Sequence, residues 1–175
     1  EIVIKNNEKV TRVSLNVKGI HNALNSLECF ALCSWYGIDS GSLVNGLVKF
    51  KGAARRMEFK GTFNGARVYD DYGHHPTEIE ATSNAILKEK YNASYAIFEA
   101  HTYSRVKNHL DDFVKSLVKF DHIIVIDIYA AREENIYGVK PEDIVDKLKQ
   151  ENKDAIYISD YDEIKEYLST RVKEN

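Results

Sequence analysis

Cysteine is scarce in this sequence, and long apolar runs are missing from it. Of its 175 residues two are cysteines, Cys29 and Cys33, which lie four positions apart in an apolar helical pattern. This spacing favours buried free thiols in a reducing compartment, with metal ligation or a disulfide as the alternatives. No apolar run approaches the roughly 20 residues that cross a bilayer, and no signal peptide opens the chain. A cytoplasmic protein without a membrane partner is therefore predicted.

The sequence also lacks an excess of basic residues. Its formal net charge is −3, and no basic face can be drawn from it, which argues against a dedicated nucleic-acid binder. Internal repeats and low-complexity segments are missing as well. With 43% hydrophobic residues the chain can build a real core, and its length suits one domain, or one domain plus part of another.

The first part of the chain predicts a hairpin followed by two helices. The chain begins at Glu1 rather than Met, in the middle of a predicted strand, as expected of a piece excised from a longer protein. In the longer helix, Leu24, Leu27, Ala31 and Trp35 recur near the helical period and are expected to face the core. The predicted strands span 1–5 and 10–17, and the predicted helices span 20–36 and 40–48.

The second part alternates strands with helices after a hinge of small residues at 50–54. This hinge predicts a domain boundary, with domains at 1–53 and 54–175. From residue 66 onward the alternation predicts an α/β fold, Rossmann-like and doubly wound, with a mostly parallel sheet. The predicted strands span 56–62, 66–71, 95–99, 123–128 and 155–158, and the helices span 76–91, 104–120, 141–150 and 160–172.

Polar residues are densest at 68–77, where a strand is expected to pass into a helix that begins at Pro76. Segments 99–105 and 127–134 follow the next two strands, and the carboxyl ends of parallel strands share one edge of a sheet. The three segments therefore predict a ligand site rather than solvated turns. A metal hydrolase is disfavoured, because adjacent strand residues such as Asp70 and Asp71 point to opposite faces.

Two further clusters lie in or near the first part. Asn22 and Asn25 share one face of a first helical turn, where they can read the polar edge of a planar ligand or simply cap the helix. Arg55 and Arg56 follow the hinge, where a guanidinium can clamp a phosphate or form a solvated surface pair. The residues alone leave both alternatives open.

Five segments together resemble the C-terminal part of the Mur ligases, in the family's order and over nearly the whole chain. The string DDYGHHPTE is highly specific, and within the family the resemblance is strongest to the members that add L-alanine to UDP-N-acetylmuramate. It implies an ATP-dependent ligase of peptidoglycan precursor synthesis, in which a carboxylate is phosphorylated and an amine attacks the acyl phosphate. The segments are 18–25 (KGIHNALN), 55–58 (RRME), 70–79 (DDYGHHPTEI), 101–105 (HTYSR) and 127–138 (DIYAAREENIYG).

The resemblance also implies roles for single residues. Residues 1–53 would be a remnant of the central ATP-binding domain, and 54–175 the C-terminal domain. ATP would be the co-substrate, with Mg²⁺ bound mainly by a part of the protein that this chain lacks, so no metal ligand is assigned here. Positions implied at the nucleotide are Asn22 and Asn25 (adenine), Asp71 (ribose) and the catalytic Arg56 (phosphates), and those at the amino acid are Tyr72, His74, His101 and Arg105.

Several departures from the family pattern qualify this interpretation. Thr102 occupies a position often held by Arg, which makes the chain more dependent on Arg105, and Glu99-Ala100 replaces the usual Gln-Pro. No phosphate loop of the G-x-x-G-K-[ST] type is present, so the chain by itself is expected to be inactive. The alternatives are a ligase that recycles muropeptides and a non-catalytic module that binds a nucleotide or an amino acid.

Overall fold

A computed structural model describes residues 1–6, 9–17 and 19–172, without the side chains of residues 6 and 9. The chain forms two compact units, Glu1–Glu58 and Phe59–Asn175, and each is described by itself. The sequence analysis placed the boundary after residue 53. No helix among the described residues is long and apolar enough to cross a membrane.

The first unit combines a hairpin with two helices. Strands β1 (Ile2–Asn6) and β2 (Lys9–Val13) pair antiparallel, while Asn7 of the predicted turn lies outside the described residues. Helices α1 (Ile20–Trp35) and α2 (Ser40–Lys49) follow. Among the described residues of this unit, the buried side chains Ile4, Val13, Phe30 and Leu43 form the core.

Helix α1 buries a different stripe from the one that the sequence analysis selected. Ser26 and Phe30 are its buried residues, whereas Leu24, Leu27 and Trp35 are 54%, 46% and 82% exposed. The expectation failed because α1 carries apolar residues on more than one face, and periodicity alone does not say which face meets the core. Both cysteines of α1 are free, but Cys29 is exposed, so the prediction of two buried thiols was wrong.

The second unit contains a parallel sheet of three strands. Its order is β5-β6-β7, and Phe98, Val125 and Tyr157 stand side by side at the carboxyl ends of the strands. The predicted α/β class with a parallel sheet is thereby confirmed. The elements are β3 (Glu58–Phe63), β4 (Ala66–Asp70), α3 (Pro76–Ile86), β5 (Tyr95–Phe98), α4 (Tyr103–Leu117), β6 (His122–Val125), α5 (Pro141–Gln150), β7 (Asp154–Tyr157) and α6 (Tyr161–Arg171).

Helices cover both faces of this sheet. On β6, Ile123 and Val125 join the larger core cluster, to which α3, α4 and α5 all contribute. The intervening Ile124 joins a second cluster with Ile164 of α6. Because successive strand residues point to opposite faces, the apolar run of β6 is buried on both sides, as a central parallel strand requires.

Strand β4 does not belong to the parallel sheet in which the sequence analysis placed it. It forms a separate two-stranded sheet with β3, joined to it by Asn64 and Gly65, which both have a positive φ (47° and 78°). A strand buried on both faces needs a continuous apolar run, whereas β4 is exposed over its first three residues. Among the described strands the parallel sheet therefore begins at β5.

Candidate functional site

The loops after β4, β5 and β6 meet at one place in the second unit. The imidazole of His74, after β4, has its ring centroid 5.4 Å from that of His101, after β5. The His101 ring in turn stacks on Tyr129, after β6, with centroids 5.2 Å apart and planes 22° apart. The backbone supports the second contact, since the Tyr129 N–H donates to the Ala100 carbonyl oxygen at 2.8 Å.

The sequence 70–78 folds into a turn that satisfies its own polar groups. Oδ1 of Asp71 accepts the Gly73 N–H at 2.7 Å, and a Cβ on Gly73 would lie only 2.7 Å from that oxygen. The Glu78 carboxylate accepts the N–H groups of His74 and His75 at 3.1 Å each. Together with His75 as N-cap this forms a capping box that starts α3.

The backbone carbonyl of Tyr72, a residue that the sequence analysis assigned to the same site, holds the imidazole of His74. Its Nδ1 lies 3.0 Å from the Tyr72 carbonyl oxygen, and since a carbonyl only accepts, Nδ1 is the donor in this hydrogen bond. The Tyr72 ring meets the His74 ring edge-on at 5.4 Å and is 49% exposed. An exposed phenol and an oriented imidazole thus stand side by side.

Arg105, in the first turn of α4, reaches both neighbouring histidines. Its Nη1 donates to the His101 carbonyl oxygen at 2.5 Å and to the His74 carbonyl oxygen at 3.4 Å. The same atom lies 3.2 Å from Nδ1 of His101. This contact places the guanidinium of Arg105 against the ring of His101. All three contacts use Nη1 of the guanidinium. The planar fork of a guanidinium suits a carboxylate ligand.

Glu133 is a site residue to which the sequence analysis gave no role. Its carboxylate accepts hydrogen bonds from the Thr102 hydroxyl at 2.6 Å, the Ser104 hydroxyl at 2.5 Å and the Ser104 N–H at 2.8 Å. The bonds from Ser104 and then Thr102 hold the pKa of Glu133 below its ordinary value. The partners lie 29 and 31 residues from Glu133, so the sequence offered only the polar character of segment 127–134.

A second hydrogen-bonded pair joins the carboxyl ends of β6 and β7. The Tyr157 hydroxyl, at the end of β7, donates to Oδ1 of Asp127 at 2.5 Å. This hydrogen bond raises the pKa of Tyr157 above its ordinary value, because losing the proton would set two negative charges together. The pair extends the polar edge of the sheet beyond the three loops.

The remaining predicted site residues lie in the first unit. Asn22 and Asn25 occupy the first turns of α1, and the Asn22 carbonyl oxygen accepts the Ser26 hydroxyl at 2.7 Å. Arg56 is exposed, next to Arg55, whose N–H donates to Oε2 of Glu58 at 2.8 Å. The nucleotide roles of these residues and of Asp71 remain predictions.

The described residues contain no group of three or more His, Cys, Asp or Glu side chains that could hold a metal ion. At the three loops the carboxylates of Asp71, Glu78 and Glu133 each accept hydrogen bonds from nearby backbone N–H groups. What these loops offer a ligand is a cation, two imidazoles and a phenol.

Known proteins similar in sequence are ligases. The family profile described as "Mur ligase, glutamate ligase domain" matches residues 55–175. Over 168 residues the chain is 42% identical to the UDP-N-acetylmuramate--L-alanine ligase of Caldicellulosiruptor saccharolyticus, which covers 96% of this chain and 37% of that protein. The chain thus spans about a third of the length of the curated relatives that it matches.

Two solved structures resemble the chain closely. The UDP-N-acetylmuramate-alanine ligase of Thermotoga maritima superposes with a TM-score of 0.74 at 27% identity, covering 93% of this chain and 34% of that one. A murein peptide ligase from Psychrobacter arcticus gives a TM-score of 0.69 at 26% identity, covering 96% of this chain and 35% of that one.

Proposed function

The chain belongs to the Mur ligase family, and we propose that it is the C-terminal portion of an ATP-dependent ligase that joins L-alanine to UDP-N-acetylmuramate. The names of its curated relatives support this choice within the family. One observation carries it: Arg105 is fixed against His101 and His74 where three loops meet. A preorganised cation next to two neighbouring imidazoles suits a small zwitterionic amino acid.

In this reaction ATP phosphorylates the carboxylate of UDP-N-acetylmuramate, and the amine of L-alanine attacks the acyl phosphate. An amide forms, the phosphate leaves with the C–O bond electrons, and the amine loses a proton. The Arg105 fork binds the carboxylate of alanine. Tyr72, His74 and His101 surround the rest of the amino acid and orient its amine toward the acyl carbon.

Residues 1–53 are proposed to be part of the central ATP-binding domain of that ligase. The exposed side chains of Leu24, Leu27 and Trp35 support this, since a helix that is apolar on several faces is normally packed on each of them. Asn22 and Asn25 would face adenine and Asp71 the ribose. Arg56 would neutralise the phosphates during transfer.

The proposal leaves the phosphate loop and the Mg²⁺ site to the rest of the ligase. The 175 residues contain no G-x-x-G-K-[ST] sequence, and the described residues offer no metal-binding cluster. Mg²⁺, when bound with ATP, would neutralise charge on the transferring phosphate. The ligase would work in the cytoplasm, in the synthesis of peptidoglycan precursors, without nucleic-acid or membrane partners.

The test uses the full-length ligase that contains this sequence. Phosphate release is measured with ATP, Mg²⁺ and UDP-N-acetylmuramate, and L-alanine competes with a muropeptide-type tripeptide as the amine. We expect release that depends on L-alanine and is barely affected by the tripeptide. Preference for the tripeptide would make the protein a recycling ligase, and nucleotide binding without any release would make it a non-catalytic module.

A further inference from the structure

We propose that Glu133 is a positioning residue that fixes the first turn of α4, and through it Arg105 and His101, for the amino-acid substrate. The part of this inference that concerns how Glu133 fixes α4, Arg105 and His101 depends only on contacts within the second unit. The part that concerns the substrate rests on the proposed function.

Glu133 supplies a helix cap that α4 does not have in its own sequence. Thr102 is the N-cap residue of α4, yet its side chain makes no capping hydrogen bond. The hydroxyl of Thr102 donates to Glu133 instead, and Glu133 accepts the N–H of Ser104. The first N–H groups of a helix have no partner within it, and a negative charge there is favourable. A carboxylate from a distant loop thus completes the helix start.

Both oxygens of the Glu133 carboxylate take part. Oε1 accepts the two hydroxyls of Thr102 and Ser104, and Oε2 accepts the Ser104 N–H. Thr102 is only 8% exposed, so its hydroxyl cannot turn to bulk water if Glu133 is removed. Loss of the carboxylate therefore removes the acceptor of the buried Thr102 hydroxyl and of the half-buried Ser104 N–H. The contact of 3.1 Å between the Thr102 and Ser104 hydroxyls can replace only one of these hydrogen bonds, which favours a shift of the whole turn.

The clamped turn is the one that carries the ligand groups. Arg105 follows Ser104 directly, and its Nη1 is fixed on the carbonyl oxygen and Nδ1 of His101. The loop that supplies Glu133 also supplies Tyr129, whose ring stacks on that of His101. The loop after β6 thus holds the loop after β5 at two points. A displacement of α4 would move Arg105 and release His101 together.

The first arm of the test uses nuclear magnetic resonance on the 175-residue chain. Glu133→Ala is compared with Glu133→Gln, which keeps one oxygen acceptor, and with Glu134→Gln at the exposed neighbouring glutamate. In Glu133→Ala we expect roughly tenfold faster exchange of the Ser104 amide proton, the size of a lost helix cap. We also expect the ring signals of His101 to shift, because the ring loses its contact with Nη1 of Arg105. Glu133→Gln should fall between native and Glu133→Ala, and Glu134→Gln should match native.

A purely structural role would speed amide exchange but leave the ring signals of His101 unchanged. That result would overturn the proposal. It would do so whether or not the protein is a ligase, because this arm needs no substrate.

The second arm uses the full-length ligase. Glu133→Ala should raise the KM for L-alanine by roughly ten- to a hundredfold, the range expected for a ligand group displaced by about 1 Å. The KM for ATP should stay within about twofold, and Glu133→Gln should recover most of the loss. Equal changes in both KM values would overturn the positioning role. If the native protein has no alanine-dependent activity, the proposed function fails, and the first arm still decides the role of Glu133.

Discussion

Nη1 of Arg105 lies 2.5 Å from the carbonyl oxygen and 3.2 Å from Nδ1 of His101. One guanidinium nitrogen therefore fixes both the backbone and the ring of a neighbouring site residue. Both contacts use the same nitrogen of Arg105. The planar guanidinium is thereby held in a defined orientation in which it can bind a ligand carboxylate. It also ties the position of the His101 ring to that of Arg105.

Replacing Arg56 by Lys in the full-length ligase should lower kcat by roughly tenfold or more, because an ammonium cannot reproduce the guanidinium fork at a phosphate. Steady-state kinetics at saturating substrates measures this. Arg67→Lys is the matched control, since it makes the same chemical change at an exposed arginine of β4 to which no site role is assigned. Unchanged turnover in Arg56→Lys would show that Arg56 is only surface charge.

The 175-residue chain by itself should release no phosphate from ATP in the presence of UDP-N-acetylmuramate, L-alanine and Mg²⁺. Its sequence lacks the phosphate loop whose backbone and Lys neutralise the transferring group. A phosphate-release assay run beside the full-length ligase at equal concentration checks this. Alanine-dependent release from the chain alone would refute the expectation.

Asp121 gives an expectation for acid stability. Burial opposes its charged form, but hydrogen bonds from the Ser94 hydroxyl and N–H, at 2.7 and 2.8 Å, together with nearby cations, leave its pKa below the ordinary value. Since the pKa is lower in the folded state, the stabilisation is complete above the unfolded-state pKa of about 3.9 and is lost as the pH falls through the folded-state value.

The free energy of unfolding of the native chain should therefore exceed that of Asp121→Asn by a constant amount between about pH 7 and pH 5. The difference should shrink as the pH falls below about 4. Urea unfolding at several pH values measures it, with Asp146→Asn, at an exposed position of α5, as the control. If the difference in the free energy of unfolding persisted unchanged into acid, the charge of the Asp121 carboxylate would not be what stabilises its contact with Ser94.

In the second unit, local sequence patterns correctly predicted several helices and strands. Helix α5 spans Pro141–Gln150 as predicted, and Asp160 caps α6 by accepting the N–H groups of Asp162 and Glu163. The strand predicted at 123–128 overlaps β6, whose apolar run is buried on both sides. Each of these features is determined by neighbours within a few positions in the chain.

Features that depend on contacts between residues far apart in the sequence could not be predicted from local patterns. The periodicity of α1 fitted an apolar stripe that includes Leu24 and Trp35, but the packing partner of Phe30 decides which stripe is buried. Strand β4 pairs with β3 across the turn at Asn64 and Gly65, whereas the sequence analysis placed it in the parallel sheet. Glu133 was missed because its partners lie 29 and 31 residues away, and no local pattern marks such a contact.

The central claim is that Arg105 binds the carboxylate of L-alanine, and a kinetic comparison of Arg105→Ala with Lys107→Ala in the full-length ligase tests it most directly. Lys107 is an exposed cation on the same helix, so Lys107→Ala removes equal charge away from the site. Arg105→Ala should raise the KM for L-alanine roughly thirtyfold or more, as expected for loss of a charged hydrogen-bonding partner, with the KM for ATP nearly unchanged. Equal increases in both KM values, or an alanine KM like that of Lys107→Ala, would contradict the assignment.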